Sequence, residues 1–182
     1  MSTSAPDDQN SEDAPASRTD IRGPAPPPGV WKDPVVVAAL GFGAGAVPYV
    51  PGTAGTLLAV GFYLLIAHVP ALGYVGIVIA LFLLGVWICG HAERVIAVHD
   101  HPSVVWDEIV GYLVTMFLAP AGWLWILAGF ALFRLFDIWK PFPIRIVERR
   151  VQGGLGTMLD DVVAGLYAWM SLQIAVLLSG VL

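Results

Sequence analysis

The sequence predicts an all-α integral membrane protein, a bundle of about five short transmembrane helices preceded by an N-terminal interfacial or re-entrant element. Three observations predict it. The chain is 57% hydrophobic and 13% charged, against about 25% charged for an ordinary soluble domain. Its apolar residues come in long runs bounded by Pro51, Pro70, Pro102, Pro120 and Pro141, residues that cannot continue a helix interior. Its charged residues gather in a tail, in alternate connections and at the mouths of the segments those connections join, as expected of spans that cross back and forth.

Residues 1–33 form the tail. It holds Asp7, Asp8, Glu12, Asp13, Asp20 and Asp33, six of the fourteen acids, and a Pro-rich run from Pro24 to Pro28. Such a segment buries too little apolar surface to fold and is expected to be disordered. It lacks the basic start and apolar core of a signal peptide. The net charge of −5 comes largely from it and says little about partners; no nucleic-acid partner is expected and no protein partner can be inferred. Residues 34–182 form the membrane-embedded domain.

Val35 to Ala46 is apolar but Gly-rich and too short to span, which suits the interfacial or re-entrant element. Five segments follow, roughly Gly55 to Val69, Leu72 to Ala92, Ser103 to Ala119, Ala121 to Phe136 and Asp160 to Leu182. A span needs about 20 residues to cross about 30 Å of hydrocarbon, so the shorter ones must reach into the interface or thin the bilayer. The turns near Pro70 and Pro120 carry no acid, Lys or Arg, whereas 93–101 and 134–150 carry many. Alternating spans therefore gather the charged loops on one side. Arg134, Lys140, Arg145, Arg149 and Arg150 make that side cytoplasmic by the positive-inside rule.

Asp107, Glu108, Asp137, Asp160 and Asp161 fall in or at the mouths of these segments. An ionisable group inside a span costs roughly 2.5–3.5 kcal/mol and is a functional-site hypothesis by default. Each also has an ordinary reading. Asp160 follows Thr157 with the spacing of a capping box. Asp107 and Glu108 lie four and five residues past Ser103, too deep for simple capping and on different helix faces. Arg134, Asp137 and Lys140 recur at three-residue spacing, as an ion-paired helix terminus would. Acids at one membrane depth in three segments are poorly explained by three unrelated termini.

Carboxylates without a thiol or a compact His cluster are hard oxygen ligands of the kind Mg²⁺ takes. Arg134, Lys140 and Arg145 add cations suited to phosphate. Gly52, Thr53, Gly55 and Thr56 form a Gly/Thr-rich loop before a helix, where backbone N–H groups bind phosphate readily; close helix packing is the alternative use of those glycines. No Lys follows the glycine, so this is not a Walker A loop. Of the histidines, His99 and His101 precede the Asp107 helix, where either could serve as an acid or base, or simply be solvated. His68 and His91 have less support, and Cys89 lies alone in an apolar run.

The stretches GAVPYVPGTAGT (45–56), VHDHPSVVWDEIVGY (98–112), FRLFDIWKPFPIR (133–145) and GGLGTMLDDVVAG (153–165) resemble, in order, the four motif blocks of the phosphatidylglycerophosphatase A family. The resemblance covers most of the chain from about Leu40 to about Tyr167. Thr56 stands where a serine is common, and the hydroxyl is kept. The resemblance implies an enzyme of the bacterial inner membrane, multi-pass, with a Mg²⁺-dependent site on the cytoplasmic side. It implies hydrolysis of the lipid phosphatidylglycerophosphate to phosphatidylglycerol and phosphate. On this reading Asp107, Glu108, Asp160 and Asp161 hold one or two Mg²⁺, Asp137 being a fifth ligand, and Arg134 and Lys140 act in catalysis with Asp107, Glu108 and Asp161. Gly52, Thr53, Gly55, Thr56, Arg145 and His101 bind substrate. Water attack and an aspartyl-phosphate both remain open. The rival class is a proton- or ion-coupled transporter, which would place acids near the midplane and often between inverted repeats; a structural scaffold is the third.

Overall fold

The computed structural model describes residues 25–99 and 101–180; residues 1–24 of the acidic tail, Asp100 and residues 181–182 lie outside it. Among the described residues there is no strand. Seven α-helices follow in order: α1 Pro34–Ala39, α2 Pro51–Ile66, α3 Ala71–Ile96, α4 Trp106–Thr115, α5 Trp123–Trp139, α6 Ile144–Arg150 and α7 Gly154–Ser179, with 3-10 turns at Pro28–Lys32 and Gly41–Ala46.

The packed chain begins ahead of residue 34. Val30 is buried, and the Asp33 carboxylate caps α1 by accepting the Val35 and Val36 N–H groups at 2.9 and 3.3 Å. Asp33 also meets His91 of α3 at 2.7 Å. After α1 the chain bends sharply at Phe42 and Gly43, both at positive φ, so 35–46 is not one continuous helix. The Val105 N–H donates to the Ala39 carbonyl at 2.9 Å, tying this element to the approach of α4.

Two helices, α3 and α7, are each 26 residues and apolar enough to cross a membrane, and in their most apolar stretches only 22% and 28% of residues are buried. Their outer faces carry Leu72, Ile79, Leu83, Trp87, Ile174 and Leu178 exposed. The other helices are shorter. α4 has 10 residues, a rise of about 15 Å against about 30 Å of hydrocarbon, and nine of those residues are buried. It is a core helix, not the long span expected over 103–119, and it packs between α2, α3, α5 and α7.

The bundle turns on one close approach. A Cβ on Gly165 of α7 would collide with the Gly111 carbonyl of α4, and one on Gly111 would collide with Phe133 and the Asp161 carbonyl. Only glycines let these backbones meet. The Thr115 hydroxyl donates to the Gly111 and Gly165 carbonyls there, at 3.0 and 3.4 Å. Asp107 precedes Gly111 by one turn and Asp161 precedes Gly165 by one turn. The crossing therefore sets the two acids side by side.

Candidate functional site

Asp107 and Glu108 occupy the first turn of α4, which corrects the expectation that they lie too deep to serve a helix start. The segment 103–105, expected to be helical, is held out of the helix by the Val105–Ala39 bond. In the first turn both carboxylates gain from the positive end of the helix dipole. The Asp107 Oδ1 accepts the Glu108 N–H at 3.1 Å.

α7 starts at Gly154 with Gly153 as its cap, so Thr157 is inside the helix and caps nothing. The expected capping box with Asp160 does not form. The Thr157 hydroxyl donates instead to Glu93 Oε1 on α3 at 2.6 Å. Asp160 pairs across the bundle, its Oδ2 accepting from Lys140 Nζ at 2.8 Å. Lys140 ends α5 in the left-handed conformation, at φ 44°, which turns its side chain off the helix line and back toward α7.

Arg134 and Asp137 lie on one face of α5 and pair with each other, and Arg134 Nη1 stands 3.6 Å from Glu108 Oε1. The Gly52–Thr56 stretch, expected as a loop, is the first turns of α2 with Pro51 at its start. A Cβ on Gly52 would strike Glu108 and the Arg134 guanidinium, and one on Gly55 would strike Glu108 and Val105. These glycines make room for the ion pair beneath them. The Thr56 hydroxyl donates to the Gly52 carbonyl at 2.9 Å. Phosphate-binding capacity here rests on the first N–H groups of α2, around Gly52 and Thr53.

His101, Asp107, Glu108, Asp137, Lys140, Asp160 and Asp161 line one cavity of about 230 Å³. All five acids singled out in the sequence thus come together, from α4, α5 and α7, at one end of the bundle. Of the two loop histidines, His101 is the one buried there, its Nδ1 accepting the Ser103 N–H at 3.2 Å. Burial lowers its pKa from the ordinary 6.5, so the ring is neutral with its proton on Nε2. His99 is exposed and meets Glu93 Oε2 at 3.2 Å. Arg145 lies outside the cavity and donates to the Trp139 carbonyl at 3.2 Å.

The donor set suits a hard divalent cation and an anion. Asp161 Oδ2 and Arg134 Nε are buried without a hydrogen-bond partner, and such groups in a low-dielectric site call for one. Among the described residues no three acid, His or Cys side chains already converge as a coordination shell; Asp160 is drawn to Lys140 and Asp137 to Arg134. Glu93 and the Gly111/Gly165 pair were not singled out in the sequence. A signal for the glycines was present, since an Asp one turn before a Gly recurs at 107/111 and 161/165.

A family model described as Phosphatidylglycerophosphatase A matches residues 37–176. The chain is 44% identical over 134 residues to "Phosphatidylglycerophosphatase A" of Escherichia coli, covering 73% of this chain and 78% of that protein. It is 43% identical over 143 residues to the protein of that name from Haemophilus influenzae, covering 75% and 85%. No solved structure matches it.

Proposed function

The chain belongs to the phosphatidylglycerophosphatase A family of phosphatases, and from that premise we propose that it hydrolyses the phosphomonoester of phosphatidylglycerophosphate, with Mg²⁺, at the cytoplasmic face of the bacterial inner membrane. The observation that carries the reading is the cavity where acids of α4, α5 and α7 meet Lys140, with Arg134 paired to two of those acids, Glu108 and Asp137. Positive-inside logic favours the cytoplasmic side, because Arg134, Lys140, Arg145, Arg149 and Arg150 lie at this end of the sequence's alternation. Short α2 and α5 complete a multi-pass bundle with α3 and α7 if the bilayer thins or the helices stop in its interface. The catalytic unit is 34–182 with the residues just ahead of it that cap and pack.

Asp107, Glu108, Asp160 and Asp161 would hold the Mg²⁺, with Asp137 as a further ligand. Bound there, the ion supplies polarisation of phosphoryl oxygen and a water of lowered pKa. Lys140 and Arg134 offer N–H donors to the phosphoryl oxygens, whose charge must be stabilised in a reaction that is mostly positioning and electrostatics. Neutral His101 presents Nε2–H as a donor to substrate. The N-terminal amides of α2 at Gly52 and Thr53 give a second, uncharged set of donors, and Thr56 and Gly55 fix how closely that helix approaches.

A transporter is disfavoured because the acids sit toward helix ends, in the first turn of α4, the second turn of α7 and the last of α5, not at the middle of the spans. Purified protein in detergent should release phosphate from phosphatidylglycerophosphate, with a chelator stopping it and Mg²⁺ restoring it. Absence of release with Mg²⁺ present would sink the reading.

A further inference from the structure

Two open grooves flank the cavity on the outer side of α5. One, of about 840 Å³, runs past Arg134, Leu135, Ile138, Trp139 and Arg145. The other, of about 380 Å³, lies between Trp139, Lys140, Phe142 and Arg145. Trp139 and Arg145 belong to both. Two cations join the grooves to the cavity: Lys140 lines the second groove and the cavity alike, and Arg134 lines the first while pairing with Glu108 and Asp137.

The groove walls are apolar and open. Leu135, Ile138, Trp139 and Phe142 are between 52% and 77% exposed, as suits contact with hydrocarbon. Arg145 is an exception on that surface. It spends one donor on the Trp139 carbonyl, and a guanidinium carries five. Among the described residues no carboxylate pairs with it. A planar cation anchored on an apolar groove matches a phosphodiester entering beside acyl chains.

We propose that Arg145 receives the phosphodiester of the lipid while the α5 groove takes its diacylglycerol, so that the protein selects lipids in which a polyol separates the cleaved monoester from a diester. This deepens the phosphatase reading and rests on it. The cavity takes the monoester between Lys140 and Arg134; the diester, one headgroup away, needs a cation outside the cavity, on the way to the apolar wall. Arg145 is that cation. A lipid whose monoester is attached directly to diacylglycerol, such as phosphatidic acid, gives Arg145 nothing to hold.

Two measurements test this. In the first, metal-free protein in detergent is titrated with phosphatidylglycerol, which keeps the diester, and with diacylglycerol, which lacks it, followed by native mass spectrometry. Wild type should bind phosphatidylglycerol the more tightly, and Arg145→Gln should lose about tenfold of that advantage, as expected for one charge-assisted contact. Ile138→Glu, which sets a carboxylate beside Arg145 at an exposed position, should do the same without touching the cavity. Equal binding of the two lipids, or of phosphatidylglycerol to wild type and both variants, would overturn the proposal. In the second, the preference for phosphatidylglycerophosphate over phosphatidic acid is measured as the ratio of kcat/KM. Arg145→Gln should lower that ratio about tenfold, mainly through KM; an equal loss on both substrates would overturn the diester assignment. If wild type releases no phosphate at all, the phosphatase reading fails while the binding measurement still decides the groove.

Discussion

The two sides of the Gly111–Gly165 crossing hold two cavities of opposite chemistry. Toward the start of α4 and α7 the helices open onto about 230 Å³ lined by acids, Lys140 and His101. Beyond the crossing α4 and α7 part again, with α3, around about 340 Å³ lined by Tyr74, Val75, Val78, Ile79, Val114, Phe117, Leu166 and Trp169. The larger pocket offers shape alone. The smaller one offers charges held at fixed depth by helix ends, and phosphoryl chemistry needs placed charge more than volume.

Breaking each side separately should give unequal effects. Asp161→Asn keeps the shape and removes the charge whose Oδ2 faces the cavity without a partner; phosphate release should fall by at least about 100-fold, with the detergent-solubilised protein still folded by circular dichroism. Val75→Leu, in the apolar pocket, should change turnover by less than about twofold. Near-normal activity of Asp161→Asn would remove that residue from the site.

The crossing itself is the next largest lever. Gly165→Ala puts a methyl against the Gly111 carbonyl and should cost about 1–3 kcal/mol, the range for overpacking, read as a lower thermal midpoint. Gly76→Ala meets nothing within 4 Å and should be neutral or stabilising by up to about 1 kcal/mol, as expected for Gly to Ala in a helix. Equal midpoints for the two variants would mean that the crossing does not set the helix spacing.

Lys140→Met removes one donor to the phosphoryl oxygens and should lower kcat/KM for the lipid about tenfold, with Lys140→Arg recovering part of it. An unchanged kcat/KM would remove Lys140 from the site.

Two smaller effects follow pH. His101 has a folded pKa below its ordinary 6.5, so the unfolded chain takes up a proton first as pH falls. Stability should decline from about pH 6.5 downward until the folded ring also protonates, and His101→Asn should flatten that decline. Asp33 works in the same direction at lower pH. The His91 bond holds its pKa below the ordinary 3.8, so its contribution is present above that value and is lost as pH falls through the folded one. Asp33→Asn should therefore remove a small stabilisation seen at neutral pH and not at the acid extreme.

Much of this comparison is legible in the sequence. The order of apolar runs and the placing of charge in alternate connections foretell which helix ends meet, because both follow from composition. Helix boundaries do not. Ser103 and Thr157 look like caps, but the Val105–Ala39 bond delays α4, and the turn at Gly153, with φ 73°, starts α7 early. The first depends on a contact far away in the chain. Gly52 and Gly55 were readable as phosphate binders because glycine-rich helix starts often are; their closeness to Glu108 and Arg134 depends on how α2 meets α4 and α5, which no local pattern encodes.

If the acidic end of the bundle is a divalent-metal site, Mn²⁺ binding to the purified protein reveals it without any substrate. Mn²⁺ accepts the same carboxylate ligands as Mg²⁺ and is read by electron paramagnetic resonance. Wild type should bind Mn²⁺ saturably, with binding competed by Mg²⁺ and lost in both Asp107→Asn and Asp161→Asn; no binding to wild type, or equal binding to those variants, would rule out a metal site there.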